Sequence, residues 1–204
     1  MGNYFYEFVE EENGQHQIGG KQPIEFKFPG NNFISNFQYL GFINNNDKLF
    51  NWLPFKLHLI CPIYLNIDKI YLDYSSQNQP KLISPKNTAE IDSEYLELTT
   101  ESYLDFEERK VTLVKSTEID DMECIGISNK LFKVQNLNIP RCPKSGNKMK
   151  FVCQLMTFGE IPVNKRNFES EDENLDYMNF WCDGSLFVFC EPISKTVCYF
   201  IQST

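Results

Sequence analysis

The sequence predicts an α+β fold, rich in antiparallel strands, that forms a single domain over residues 1–204. Aromatic side chains make up 15% of the chain, led by eighteen Phe and ten Tyr, and such rings pack better on pleated, half-buried sheets than on helix faces. The helical content is expected to be low, with one short helix within residues 91–105. A chain of this length buries roughly 70% of its unfolded surface, so folding requires neither a disulfide nor a metal.

The first half of the chain alternates short apolar runs with polar turns. Residues 4–9, YFYEFV, suit an edge strand that ends in the charged turn at residues 10–14. The paired glycines Gly19 and Gly20 predict a tight turn, because a phosphate-binding loop would require a helix that the following prolines disfavour. Further strands are expected over residues 36–43, 57–67, 68–74 and 106–116. Pro62 should interrupt the second of these, because proline lacks the ladder donor.

The second half of the chain contains its most apolar stretch, between Met149 and Thr204. Residues 149–155, MKFVCQL, are predicted to form a core strand. Residues 184–204 are predicted to form a terminal hairpin whose four-residue loop is 191–194. The hairpin has no feature of a reaction centre, so this stretch indicates a structural core.

The seven cysteines are an odd number and are spread through strand-like runs. In the predicted hairpin register, Cys198 faces Phe187 and stands several residues along the ladder from Cys190, too far for a disulfide. We therefore expect free thiols that pack as small buried hydrophobes in a reducing compartment.

The charge balance narrows the classes of partner. The formal net charge is −9, and no stretch concentrates Lys and Arg, so the basic footprint needed to bind nucleic acid is missing. No window approaches the ~18 consecutive apolar residues of a membrane span. The start, MGNYFYEFVEEENG, lacks the basic and apolar regions of a signal peptide. The sequence therefore predicts a cytosolic protein without nucleic-acid or membrane partners.

The acidic loop at residues 168–176, FESEDENLD, is the most distinctive candidate for a contact with function. It lacks the oxygen spacing and central glycine of a calcium loop, so a solvated loop is the plain interpretation. The alternative is that the loop binds a basic protein partner. Trp181, which follows the loop, would then anchor the interface, although a buried Trp beside a turn is also ordinary core packing. The candidate partner-binding residues are Glu169, Glu171, Asp172, Glu173 and Trp181.

Candidates for catalysis and metal binding are weaker. His58 lies on an apolar run and His16 in a polar loop, and no nucleophile, base and orienting group occur at a recognisable spacing. The segment from Cys142 to Gly146 resembles half of a zinc knuckle, but Ser145 occupies the second ligand position. We therefore expect no metal or cofactor, and an enzyme that uses His58 stays open as an alternative.

A weak internal repeat is suggested by two similar segments. In each, a glycine turn leads through a Pro-containing loop into an apolar strand that carries a glutamine, at Gln38 and at Gln154. This pattern fits a duplication with halves 1–120 and 121–204. Buried glutamines need hydrogen-bond partners, and we expect these two to cap backbone groups across the halves.

These motifs together resemble the YwqG-like family. The residues that carry the resemblance are Ile18-Gly19-Gly20, the turn at Cys142-Pro143 that leads into 149–155, and the strand at 183–189, DGSLFVF. The resemblance implies an α+β fold with antiparallel sheets related by an internal repeat, and no agreed catalytic residues. Some members occur among bacterial toxin and immunity genes, so it also implies a role in neutralising a basic toxin. Three hypotheses about function therefore remain: a non-catalytic binding protein, an enzyme, and a purely structural domain.

Overall fold

The computed structural model describes residues 4–30, 37–62, 65–66, 69–84, 90–91, 101–118, 124–132, 137–180 and 184–202. Within them the chain forms fourteen strands: β1 Phe5–Glu10, β2 His16–Gly20, β3 Phe37–Ile43, β4 Leu57–Pro62, β5 Leu65–Asn66, β6 Ile70–Asp73, β7 Lys81–Ser84, β8 Glu90–Ile91, β9 Leu104–Ser116, β10 Gly126–Ser128, β11 Lys150–Met156, β12 Val163–Arg166, β13 Ser185–Glu191 and β14 Thr196–Gln202. Two single-turn 3-10 helices cover Thr157–Gly159 and Glu173–Leu175.

The predicted α+β class is wrong, because the described residues form almost only antiparallel sheet, with two single-turn 3-10 helices as their helical content. The short helix expected within residues 91–105 falls largely on residues outside the described ranges, and its last two residues, Leu104 and Asp105, begin β9. Aromatic and β-branched residues that alternate between buried and exposed positions leave no apolar stripe of helical period. Across the described part of the chain, no helix has the length and apolar character needed to cross a membrane.

One twelve-stranded sheet dominates the structure and curls into a half-barrel around the core. Its strand order is β4-β3-β2-β9-β1-β10-β11-β13-β14-β6-β7, and β12 pairs with β9 beside this path. β5 and β8 form a separate two-stranded ladder. Because β1 pairs with β10 and β14 pairs with β6, both antiparallel, the sheet runs continuously through the two predicted halves.

Several strand predictions are confirmed and others need correction. The strands predicted at 36–43, 106–116 and 149–155 correspond to β3, β9 and β11, and β4 ends at Pro62 as expected. The first strand is not an edge strand, because β1 lies between β9 and β10. Its Phe5 and Phe8 are buried, and this burial secures the strand inside the sheet.

The predicted turn at Gly19 and Gly20 is also wrong, because both residues lie at the end of β2. They have φ angles of +71° and +81°, and the pairing with β9 shifts register between Ile18 and Gly20. A Cβ on Gly19 would lie 2.0 Å from the carbonyl oxygen of Glu107. One residue of β2, Gly19, thus faces two residues of β9, Glu107 and Glu108, so the bulge lies in β9 and the glycines let the two backbones come close together.

The terminal hairpin forms, but in a different register from the predicted one. Glu191 pairs with Thr196, so the loop is 192–195, one residue later than expected, and Lys195 closes it with a φ of +53°. Cys190 faces Val197, and Phe189 faces Cys198. The prediction of free thiols is confirmed for the described cysteines, all of which are buried: Cys61, Cys124, Cys142, Cys153, Cys190 and Cys198.

The two core glutamines have backbone partners, although not across the halves. The side-chain oxygen of Gln38 accepts from the Leu104 N–H at 2.6 Å, and its amide donates to the Ser102 carbonyl at 3.2 Å. The side-chain oxygen of Gln154 accepts from the Phe132 N–H at 3.2 Å. Each glutamine thus caps a loop within its own half, because that loop passes directly over its strand.

Two tyrosines close the curl of the half-barrel. The hydroxyl groups of Tyr74 and Tyr199 lie 2.8 and 3.2 Å from the carbonyl oxygen of His58 on β4, and 3.0 Å from each other. Two hydroxyl protons therefore serve three oxygen–oxygen contacts. Through this network β4, the edge strand of the sheet, is joined to β14. The His58 carbonyl, at the free edge of β4, finds its hydrogen-bond donors inside the core.

Candidate functional site

The predicted partner-binding loop leaves β12 and is tied down at both ends. Arg166, the last residue of β12, contacts the Asp176 carboxylate at 3.3 Å and donates to the Ser170 carbonyl at 3.0 Å. The Val163 N–H donates to the Asp176 carbonyl at 2.7 Å. The loop is therefore ordered, and main-chain hydrogen bonds and the Arg166 side chain hold its two ends against β12.

The acidic residues of this loop have two different roles. Asp172 is half-buried, and its carboxylate accepts from the backbone and side-chain amides of Asn174, both at 2.9 Å, which caps the 3-10 helix. Glu169, Glu171 and Glu173 are exposed. The side chains of these three make no hydrogen bond or ion pair with any residue that the structure describes. Of the five predicted residues, the structure thus brings the three glutamates to the surface and uses Asp172 internally, while Trp181 lies outside the described residues.

His16 is a structural residue, and its predicted position in a polar loop is wrong. It begins β2 and is buried, with Nδ1 accepting the Asn44 N–H at 3.1 Å and Nε2 3.4 Å from the Asp47 carboxylate. The rings of Phe8 and Phe50 pack edge-on against it. Burial lowers the pKa of His16, although Asp47 opposes the shift. Both ring nitrogens therefore serve the fold.

A cleft that the sequence did not reveal lies between β2, β3, β9 and β12. Its volume is about 550 Å³, within the roughly 300–1,000 Å³ range of ligand sites. The apolar lining comes from Pro23, Tyr39, Phe42 and Phe106. The charged lining comes from Lys21, Asp105, Glu108 and Lys165. The cleft is thus an apolar hollow with both signs of charge around it.

The cleft exists because of two irregularities in neighbouring strands. The pairing of β3 with β4 shifts register between Tyr39 and Gly41, so Leu40 is an extra residue. Residues three apart in a regular strand point to opposite faces, but this bulge lets Tyr39 and Phe42 line the same cleft. Gly20 also lines the cleft and keeps it open because it has no side chain. A Cβ at this position would lie 2.2 Å from the side-chain amide nitrogen of Gln17. The signal available in the sequence was a single glycine, Gly41, inside an apolar strand, together with Gly19 and Gly20.

Beneath the cleft, Tyr39 and His58 form a buried pair. The Tyr39 hydroxyl oxygen lies 3.0 Å from Nδ1 of His58, and the two residues are 4% and 5% exposed. Burial, helped by Lys56 and opposed by Glu25, lowers the pKa of His58 to about 4. Burial, with added repulsion from Glu25 and Glu108, raises the pKa of Tyr39 far above its usual value. At neutral pH both groups are uncharged.

The alternative of an enzyme that uses His58 would need a carboxylate or a thiol beside the ring, and this pair is a different arrangement. Among the described residues, the hydrogen bond to the His58 ring comes from a hydroxyl. A general acid or base works best when its pKa lies near the operating pH. Here the two pKa values are moved away from neutrality in opposite directions, which is typical of a structural hydrogen bond.

Cys142 occupies the turn that resembles half of a zinc knuckle. The Gly146 N–H donates to the Cys142 carbonyl at 2.8 Å, and the thiol lies 3.2 Å from the Ser194 hydroxyl. Burial acts to raise the pKa of Cys142, but hydrogen bonds with Ser145, Ser194 and Thr196 outweigh it and lower that pKa to about 7. Over the described ranges, no three or more His, Cys, Asp and Glu side chains are grouped to hold a metal ion.

Comparison of the chain with protein-family models, with curated proteins and with solved structures finds no match. The protein is thus a curled antiparallel sheet with two candidate functional surfaces, the acidic loop and the cleft of mixed charge. Its function is therefore argued from geometry and charge.

Proposed function

We propose that the chain is a non-catalytic protein-binding domain that recognises a basic protein partner through the acidic loop at residues 168–176. The observation that carries the proposal is the exposure of Glu169, Glu171 and Glu173 on a loop tied at both ends. A loop that is already ordered loses little conformational freedom when a partner binds. The net charge of −9 also favours encounter with a basic protein.

The state of the Tyr39–His58 pair supports a role without catalysis. A histidine that is neutral down to a pH of about 4 is a weak base, and a buried tyrosine with a raised pKa is a weak acid. Neither group is matched to proton transfer at neutral pH. Binding, rather than turnover, is the activity that this geometry favours.

The proposal extends to an immunity-type role in which the basic partner is a toxin. This part rests on the resemblance to the YwqG-like family, some of whose members occur among toxin and immunity genes. We place the protein in the cytosol within the same proposal, because its described cysteines are buried free thiols of the kind that a reducing compartment maintains.

The test is affinity capture from native lysate with the immobilised full chain. Glu169, Glu171 and Glu173 are replaced together by Gln, and the matched control replaces Glu11, Glu12 and Glu118, which are also exposed. We expect a stoichiometric basic protein to be retained by the wild type and by the control, and to be lost from the loop variant. Capture that survives neutralisation of the loop would contradict the proposal.

A further inference from the structure

We infer that the cleft between β2, β3, β9 and β12 binds a basic side chain, a lysine or an arginine, presented by the protein partner. The inference rests on the proposed function and adds a second, more specific recognition site to it. The acidic loop would supply general attraction, whereas the cleft would select one cationic residue.

The spare charge around the cleft is negative. Glu108 lines the cleft, and Glu25 and Glu108, both exposed, act electrostatically on the Tyr39 hydroxyl, so two carboxylates lie within electrostatic range of that hydroxyl. Neither forms an ion pair with a residue in the described part of the chain. The ammonium group of Lys165, in contrast, lies 5.8 Å from the centre of the Tyr103 ring, and its pKa is raised by Tyr103 and by the attraction of Asp105. A cation entering the cleft would therefore meet two carboxylates that no described residue pairs, with Lys21 as the opposing charge.

The Tyr39 hydroxyl supplies an acceptor for such a cation. When the His58 proton is on Nε2, Nδ1 accepts the Tyr39 proton, and the hydroxyl lone pairs remain for a ligand donor. A bound ammonium or guanidinium group would select this tautomer. Because lysine and arginine side chains have donors and no acceptors, either could donate to the Tyr39 hydroxyl and to the Glu108 carboxylate, both of which line the cleft.

The apolar lining suits the stem of the same side chain. Pro23 and Phe42 line the cleft, and the methylene groups of lysine and arginine pack well along such surfaces while the charged end finds polar partners. The volume of about 550 Å³ is large enough for one long side chain. The opposing charge is Lys21, which also lines the cleft and reduces its attraction for cations.

The experiment titrates the isotope-labelled full chain with small probes and follows amide chemical shifts at constant ionic strength. The cationic probes are the N-acetyl amides of arginine and lysine, the neutral probe is that of norleucine, and the anionic probe is that of glutamate. We expect the cationic probes to shift the signals of Gly20, Tyr39 and Phe42 with millimolar affinity, and the other two to bind at least about fivefold more weakly.

Three variants separate the cleft from the loop. Glu108→Gln should weaken the cationic probes about tenfold, as expected for a lost hydrogen bond to a charged group. Lys21→Gln should tighten them by about threefold, since it removes a like charge. Glu169→Gln, an equal change of charge on the acidic loop, should leave probe affinity unchanged.

Equal binding of the norleucine probe, tighter binding of the glutamate probe, or no shift in the cleft at ~50 mM cationic probe would overturn the inference. Any of these results combined with loop-dependent partner capture would remove the cleft site and leave the proposed function standing. Selective cationic binding in the cleft without loop-dependent capture would instead remove the acidic loop as the docking surface.

Discussion

The hydroxyl oxygen of Tyr39 lies 3.0 Å from Nδ1 of His58, beneath a cleft that a β-bulge creates. Phe42 pairs directly with His58, and Tyr39 pairs with Ile60. The extra residue between them turns Tyr39 to the side occupied by Phe42 and by the His58 ring. A single inserted position thus produces both the buried hydrogen bond and the apolar wall of the cleft.

Replacement of Tyr39 by Phe should destabilise the protein by about 1–3 kcal/mol, because the buried His58 ring nitrogen would lose its partner. Denaturant unfolding at pH 7 measures the change. Tyr177→Phe is the matched control, since Tyr177 is 37% exposed and water can replace its contacts. Equal stability of Tyr39→Phe and the wild type would show that the hydrogen bond contributes nothing to folding.

The free energy of unfolding should decrease as the pH falls from about 6.5 to 4. An unfolded His58 takes up a proton near pH 6.5, whereas the folded residue does so only at about 4, so the unfolded state binds more protons in this window. His58 alone contributes a slope of up to ~1.4 kcal/mol per pH unit, and His16, whose pKa is also lowered, acts in the same direction.

The pH effect can be assigned by comparing the wild type with His58→Asn, which keeps a polar atom near the position of Nδ1. The carboxylates titrate in both proteins, so the difference in slope between them isolates the histidine. We expect a shallower slope in the variant across pH 6.5 to 4. Identical slopes would mean that His58 protonates equally in the folded and unfolded states.

Gly19→Ala should destabilise the protein by several kcal/mol. The added Cβ would meet the carbonyl oxygen of Glu107 at 2.0 Å on a backbone with a φ of +71°. Gly146→Ala is a close control, because Gly146 has a φ of +72° and nothing lies within 4 Å of a Cβ built there. The control should lose only about 1 kcal/mol from the left-handed conformation. Similar losses in the two variants would argue against close packing of β2 on β9.

Deletion of residues 195–204 should abolish cooperative unfolding and lead to aggregation. It removes β14, which lies between β13 and β6 in the sheet and would leave two unpaired strand edges. Thermal unfolding followed by circular dichroism measures the effect, with deletion of residues 203–204 alone as the control. A cooperative transition in the shorter protein would refute the assignment of β14 to the core.

Local patterns in the chain were enough to locate several strands. The apolar segment at Phe37–Ile43, the alternation within β9, the apolar runs at β4 and β11, and the terminal hairpin were predictable because side-chain period and turn residues are properties of a few neighbouring positions. The exposure of Glu169, Glu171 and Glu173 and the burial of free thiols were predictable for the same reason, since they follow from residue type.

The arrangement of those strands required long-range pairing. The class was misjudged as α+β and β1 was placed at an edge, because pairing partners far apart in sequence leave little local trace. The hairpin register was misjudged for a local reason, since the loop includes Lys195, which has a φ of +53°. The internal use of Asp172 depends on a 3-10 turn closed by tertiary contacts. The cleft depends on a bulge in β3 and on the closeness of β2 to β9, and the hydrogen bond beneath it comes from His58 on β4. No segment alone contains these contacts, and each forms only when the sheet curls and aligns its strands.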